Sequence, residues 1–244
     1  MSQAAGGNIS LNREGIVETS YALGFDVYGT LVDPLAMAEP LRALVGEQAG
    51  RFAELWRSKQ LEYSFRRGLM RRYVDFDACT RQALRYTQQA LRCELPESDQ
   101  DRLLEAYLYL PLFPEVAASL AAIKAQGHRL VAFTNGVEAS IRALLANAGV
   151  LPLLEDVVSV DDLRTFKPDP AVYEYLARRT GRAPAETCLV SSNAWDVIGA
   201  KATGLRAAWV KRQPEAVFDP WEVEPDTMVN GLDQLAARFV RPPG

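Results

Sequence analysis

Short apolar runs that stop where polar residues begin constrain this chain more than any other feature. Ala22-Leu23-Gly24-Phe25 leads to Asp26, Arg129-Leu130-Val131-Ala132-Phe133 leads to Thr134, and Val157-Val158 sits in a third run. Cys188-Leu189-Val190 leads to Ser191, and Ala207-Ala208-Trp209-Val210 follows. Runs this short and apolar throughout read as strands buried on both faces, the mark of a parallel sheet. Between them lie helical spacings, such as Ile141, Leu144, Leu145 and Ala148 before Gly149, and Val172, Leu176 and Ala177 before Gly181. Each glycine stands where it can cap a helix C-terminus. Strand and helix alternate, so the predicted fold is α/β: a doubly wound, Rossmann-like parallel sheet.

From about residue 36 to 111 the alternation stops. Leu41/Leu44/Val45, Phe52/Leu55/Trp56, Leu84/Thr87/Leu91 and Leu103/Leu104/Tyr107/Leu108 all have helical spacing, and no strand pattern intervenes. The stretch reads as a helical domain inserted after the first strand, with hinges at Pro34 and at Pro111 to Pro114, because proline ends regular structure. In open α/β sheets ligands bind outside the carboxyl ends of the strands, so an insertion there covers the site as a cap. The expected division is a core over 21–35 and 112–238, a cap over 36–111 and a polar, disordered tail over 1–20.

Composition narrows the class. The 244 residues, 48% of them hydrophobic, can bury a core that needs no disulfide or zinc. Three cysteines, Cys79, Cys93 and Cys188, are odd in number and show no C-x-x-C spacing, which fits a reducing cytoplasm. With 27 basic and 31 acidic residues interspersed, the net charge of −4 gives no footprint for nucleic acid. No run of about 18 apolar residues suggests a membrane span.

Polar residues cluster at the strand ends: Asp26, Tyr28 and Thr30; Thr134 and Asn135; Lys167; Ser191, Asn193 and Asp196. Taken singly, such residues suit helix N-caps and turns. Together they bring two carboxylates, an ammonium and several neutral donors to one crevice, the set expected for nucleophilic catalysis. His128, the only histidine, is far in sequence from all of them and reads as structural.

FDVYGTLVDP at 25–34, FTNG at 133–136, Lys167 of FKPDPAVY and VSSNAWD at 190–196 resemble the four motifs of the haloacid dehalogenase superfamily, specifically of its L-2-haloacid dehalogenases. WRSKQLEY at 56–63 and MRRYVDF at 70–76 are similar to that family's cap, and the resemblance spans about 22–235. It implies hydrolysis of short L-2-haloacids to D-2-hydroxy acids plus halide, without a metal or other cofactor. Asp26 would attack C2 and form an ester, which water then hydrolyses at its carbonyl. The resemblance implies that Lys167 holds Asp26 charged, that Thr30 and Asn193 position it, and that Asp196 or Lys167 activates the water. Arg57 and Asn135 would receive the halide. Tyr28, Leu61, Phe76 and Trp195 would wall the substrate, with Thr134, Tyr173 and Ser191 also placed against it. Relatives of this kind are often homodimers through the cap.

Two positions depart from the family pattern. Ser58 stands where many relatives carry Gln, which shortens a pocket wall, and Thr134 stands where many carry Ser, which keeps the hydroxyl. The rival is a magnesium-dependent phosphatase or phosphonatase of the same superfamily. Those phosphatases usually place an Asp two residues after the nucleophile as acid and base, whereas Tyr28 is poorly suited to that proton transfer near neutral pH.

Overall fold

The computed structural model describes residues 20–239, so all of the predicted tail except Ser20 lies outside the described residues. The chain runs β1 (Ala22–Phe25), α1 (Ala38–Val45), α2 (Ala49–Leu69), α3 (Phe76–Leu91), α4 (Glu97–Ala106), α5 (Val116–Ala125), β2 (Arg129–Thr134), α6 (Glu138–Asn147) and β3 (Asp156–Ser159). It continues α7 (Pro170–Thr180), β4 (Thr187–Ser191), α8 (Ala194–Ala202), β5 (Arg206–Val210), β6 (Thr227–Val229) and α9 (Leu235–Phe239). The six strands form one parallel sheet in the order β3-β2-β1-β4-β5-β6.

β1 is fully buried at the centre, its Phe25 registered on Ala132 of β2 and on Val190 of β4. The chain winds from β1 to one side through β2 and β3, then crosses to build β4 to β6 on the other. That reversal opens a crevice beyond the carboxyl end of β1, between β2 and β4. The five predicted strands are present. β6 was not predicted, because a three-residue edge strand with Met228 55% exposed carries no apolar run to read. Gly181 caps α7 at φ 65, and Gly149 at φ 75 follows the last turn of α6.

α1 to α4 fill the segment between β1 and α5. α4 ends at Ala106 and tightens into a 3-10 turn over Tyr107–Tyr109, short of the predicted Leu108, since Leu110 precedes a proline and takes an extended conformation. The two linkers lie side by side: Val32 bridges Leu112, the Asp33 amide donates to the Pro111 carbonyl at 3.0 Å, and the Phe113 amide to Leu31 at 3.1 Å. One apolar cluster runs from the sheet into the helical segment. At the seam Tyr28 stacks on Phe76 at 5.8 Å and meets Tyr107 edge-on at 6.1 Å, while Trp56 meets Tyr107 at 5.1 Å.

Candidate active site

Asp26 is the first residue beyond β1. Its amide closes on the Val190 carbonyl at 2.9 Å, and the chain then turns back over Val27–Val32 with Gly29 at φ 91. The turn carries the Thr30 hydroxyl to the Asp26 carboxylate: Thr30 Oγ1 donates to Oδ2 at 3.0 Å, Asn193 Nδ2 at 2.9 Å and Ser191 Oγ at 3.5 Å. Oδ1 accepts from Lys167 Nζ at 3.0 Å. The carboxylate is 7% exposed, so it meets solvent over a narrow window.

Lys167 comes from the loop after β3, and its backbone amide donates to Asn135 Oδ1 at 2.9 Å. Its ammonium donates to Asp26, to Asp196 Oδ2 at 3.0 Å and to the Phe133 carbonyl at 2.9 Å, and lies 4.1 Å from the Phe133 ring centre. Asp196, on the first turn of α8, is fully buried and accepts from the Tyr173 hydroxyl at 2.8 Å. Burial pushes the Asp196 carboxyl above the usual carboxylate range; the Lys167 ammonium opposes this and the Asp26 charge adds to it. Burial, then the Asp196 charge, raises the Tyr173 phenol well above its ordinary value and keeps it a donor. Tyr173 reaches Asp196 only because Gly199 faces it. A Cβ at Gly199 would lie 2.5 Å from the Tyr173 hydroxyl oxygen.

Arg57 approaches from α2. Its guanidinium donates to Gln60 Oε1 at 2.6 Å and to the Tyr28 carbonyl at 3.2 Å, and lies 5.7 Å from the Tyr28 ring centre. Burial lowers its pKa, and no carboxylate bonds to it among the described residues. Leu61, one turn on, is half-buried on the same side of α2. Phe76 is buried against Tyr28 and Phe166, and Trp195 meets Phe65 of α2 at 5.0 Å. Thr134 Oγ1 accepts from the Gly136 amide at 3.0 Å at the end of β2.

The structure thus brings Asp26, Thr30, Lys167, Tyr173, Ser191, Asn193 and Asp196 into one hydrogen-bonded network, with Asn135 bound to its backbone. Arg57 and Tyr28 join it through the Tyr28 carbonyl, to which Asn193 Nδ2 also donates at 3.5 Å. Leu61, Phe76 and Trp195 lie on the apolar side, and Thr134 is bonded within its own turn. Three contributors escaped sequence reasoning. Ser192 fixes the turn through the Gly29 carbonyl at 2.7 Å and gives its amide to Thr30 Oγ1 at 2.9 Å. Gln60, fully buried, pins Arg57 and bonds Thr80 at 2.5 Å. Arg212, beyond β5, donates to the Thr30 carbonyl at 2.5 Å and pairs with Glu115. Only Gln60 left a trace in the sequence, as a polar residue one turn from Arg57.

Against known proteins, a family model for haloacid dehalogenase-like hydrolases matches residues 22–204. The chain is 37% identical to haloacetate dehalogenase H-2 of Moraxella sp. (strain B), over 88% of this chain and 95% of that protein. It is 35% identical to an (S)-2-haloacid dehalogenase of Pseudomonas putida, over 92% and 96%. The L-2-haloacid dehalogenase of Xanthobacter autotrophicus with chloropropionic acid covalently bound matches with a TM-score of 0.83 and 34% identity, over 89% of this chain and 97% of that one. A shared sheet, shared motifs and near-complete coverage at this identity place the chain among the haloacid dehalogenase-like hydrolases, and within them with the L-2-haloacid dehalogenases.

Proposed function

We propose that this protein hydrolyses short-chain L-2-haloacids to D-2-hydroxy acids plus halide through an ester on Asp26. The observation that carries this reading is a buried carboxylate at the crevice with donors on both oxygens, beside a half-buried arginine that no carboxylate neutralises. Holding a carboxylate against an electrophilic carbon, stripped of most of its water, offsets its weak nucleophilicity, since effective molarities of oriented groups reach about 10⁵ M or more.

In the first step an Asp26 oxygen displaces the halide from C2. The Arg57 guanidinium and the Asn135 amide supply donors where the anion leaves. The backbone amides of Val27 and Tyr28, which donate to no carbonyl among the described residues, suit the substrate carboxylate. Tyr28, Leu61, Phe76 and Trp195 wall its alkyl group. In the second step water attacks the ester carbonyl. Whichever Asp26 oxygen carries the ester, the other keeps donors: Lys167 Nζ on one side, Thr30 Oγ1 and Asn193 Nδ2 on the other. They hold the oxyanion as it forms. Asp196, its proton affinity raised by burial, takes the proton from the water with Lys167 orienting the exchange, while Tyr173 fixes Asp196.

The phosphatase reading fits less well. An octahedral cation there would use Asp26, the Tyr28 carbonyl and Asp196. Instead the Lys167 ammonium sits between the two carboxylates at 3.0 Å from each, and the Tyr28 carbonyl accepts from Arg57.

The helical segment over 36–111 acts as the cap. Exposed Met70, just past α2, and Tyr86 on α3 support a homodimer, and three free cysteines support a reducing, cytoplasmic setting. Among the described residues no helix is long and apolar enough to cross a membrane.

A single turnover in H₂¹⁸O with enzyme in excess tests the ester route. The label enters the peptide containing Asp26, and the first 2-hydroxy acid is unlabelled at C2 and of D configuration. Label in that first product with Asp26 unlabelled would mean that water attacks C2 directly.

A further inference from the structure

Beside the wall of Tyr28, Phe76 and Trp195 lies a second space that the catalytic scheme does not use. A cavity of about 520 Å³ opens between the end of α2 and the loop leading into α7, lined by Phe65, Gly68, Leu69, Phe166, Lys167 and Trp195 among others. Its volume is within the range of about 300–1,000 Å³ that small-molecule sites occupy.

The cavity is hydrocarbon in character because the charges on its lining are already engaged. The Lys167 ammonium is bonded to Asp26, Asp196 and the Phe133 carbonyl. The Asp169 carboxylate accepts the Ala171 amide at 3.0 Å and the Thr165 hydroxyl at 3.1 Å. The cavity also adjoins the site, with which it shares Lys167 and Trp195. Phe166 lines the cavity and packs on Phe76, Trp195 belongs to both walls, and Lys167 touches the nucleophile. At the other end Leu69 is 86% exposed, so the cavity leads outward.

Gly68 helps keep the space open. It is the penultimate residue of α2, and a Cβ there would meet nothing closer than Thr165 Oγ1 at 3.7 Å and the Phe166 amide nitrogen at 3.9 Å. The helix would accept a side chain at Gly68, and its absence leaves room beside the active centre.

We infer that this cavity is a chain-length subsite, which takes the hydrocarbon tail of 2-haloacids longer than propionate while C2 lies against Asp26. The inference rests on the dehalogenase reading above and adds a substrate class to it. Each methylene moved from water into such a wall is worth about fourfold in kcat/KM.

The test compares halide release from L-2-bromopropionate and L-2-bromohexanoate by the full chain and by Gly68→Leu. The unsubstituted protein should turn over the hexanoate with a kcat/KM at least equal to that for the propionate. Gly68→Leu should lower the hexanoate value about tenfold or more, carried by KM, because it excludes roughly two methylenes, and leave the propionate value within about twofold. Should Gly68→Leu fail to fold, Gly68→Ala is read instead, and its hexanoate-to-propionate ratio should fall about twofold or more. An equal fall on both acids, an unchanged hexanoate value, or a changed oligomeric state with both acids equally affected would overturn the subsite. Halide release from propionate alone in the unsubstituted protein would also overturn it while leaving the dehalogenase reading standing. Release from neither acid would instead remove that reading.

Discussion

The crevice at the carboxyl ends of the strands and the helical face opposite it are built on different terms. In the crevice, charge answers charge at short range: one ammonium lies 3.0 Å from each of two carboxylates, and all three groups are at least nine-tenths buried. On the helical face Arg57 leans on neutral groups, a carboxamide and a carbonyl, and aromatic rings supply the rest. A charge network this buried tolerates no missing member, because each loss strands a partner away from water. An apolar wall with one cation can change shape at modest cost. Under the proposed function the chemistry belongs to the strands, and the discrimination between leaving groups and chain lengths to the helices that cover them.

Substitutions can break this contrast, beginning with the strands. Asp26→Asn keeps the shape of the side chain but removes the nucleophile, so halide release should fall by about 10⁴-fold or more. Far-UV circular dichroism should be unchanged. Retention of most activity would move the nucleophile away from the crevice altogether.

The helical side comes next. Arg57→Ala should cost about 10²–10³-fold in the halide-releasing step, the range for losing one donor at a developing charge. The loss should be steeper for chloride than for bromide, since the poorer leaving group depends more on the donor. Equal losses in pre-steady-state halide release would make Arg57 a clamp that holds the helices rather than a halide donor.

A smaller effect returns to the crevice. Gly199→Ala puts a methyl 2.5 Å from the Tyr173 hydroxyl oxygen and must push that hydroxyl off Asp196. Tyr173→Phe removes the same hydrogen bond without the clash. Both should slow ester hydrolysis by about 10-fold to 100-fold, within the usual reach of one positioned group. Trapped ester, weighed by mass spectrometry, should accumulate in both. If Gly199→Ala alone is impaired, the defect lies in α7–α8 packing rather than in Asp196.

How much of this the sequence displays depends on whether a residue's role comes from its type or from its direction. Asp26, Thr134, Ser191 and Asn193 are legible because each follows an apolar run that can only be a buried strand, and the parallel sheet puts all strand ends on one side. Lys167, 141 residues from Asp26, follows only a short run, so pattern puts it at a strand end and only resemblance to a known family gives it a role. Ser192 is hidden beside Ser191, since identical side chains differ only in which way the backbone turns them. Gln60 reads as one more polar residue on a helix until burial shows it pinning Arg57. Gly199 in AWDVIGAKA looks like a weak helix position, and only the approach of Tyr173 gives it a reason. For Ser192 the missing information is a backbone direction, for Gln60 its burial, and for Gly199 a distance between elements, none of which a local pattern encodes.

The smallest effect on turnover is expected on the core side, where the second linker enters α5. Arg212 reaches the Thr30 carbonyl at 2.5 Å, lies 4.0 Å from the Phe113 ring centre and pairs with Glu115, which also accepts the Leu232 amide at 3.1 Å. Burial pushes the Glu115 carboxyl up, but the Arg212 guanidinium and the amides of Glu115 and Leu232 push it further down, to a net position below the usual carboxylate range. A depressed folded-state pKa means that the ionised carboxylate stabilises the fold at pH values above the unfolded-state pKa. That contribution is lost as pH falls through the folded-state value. Glu115→Gln should therefore lower urea stability at pH 7 by roughly 1–3 kcal/mol, the scale for a hydrogen bond to a charged group. The gap between parent and variant should close as the pH is taken down through the carboxylate range, because the parent loses there what the variant never had. Since Arg212 keeps its bond to Thr30 in the variant, kcat should move by less than about twofold. A large fall in kcat at unchanged KM would instead make Glu115 a positioning residue for the Asp26 turn, and a gap that persists at low pH would assign its contribution to packing rather than to charge.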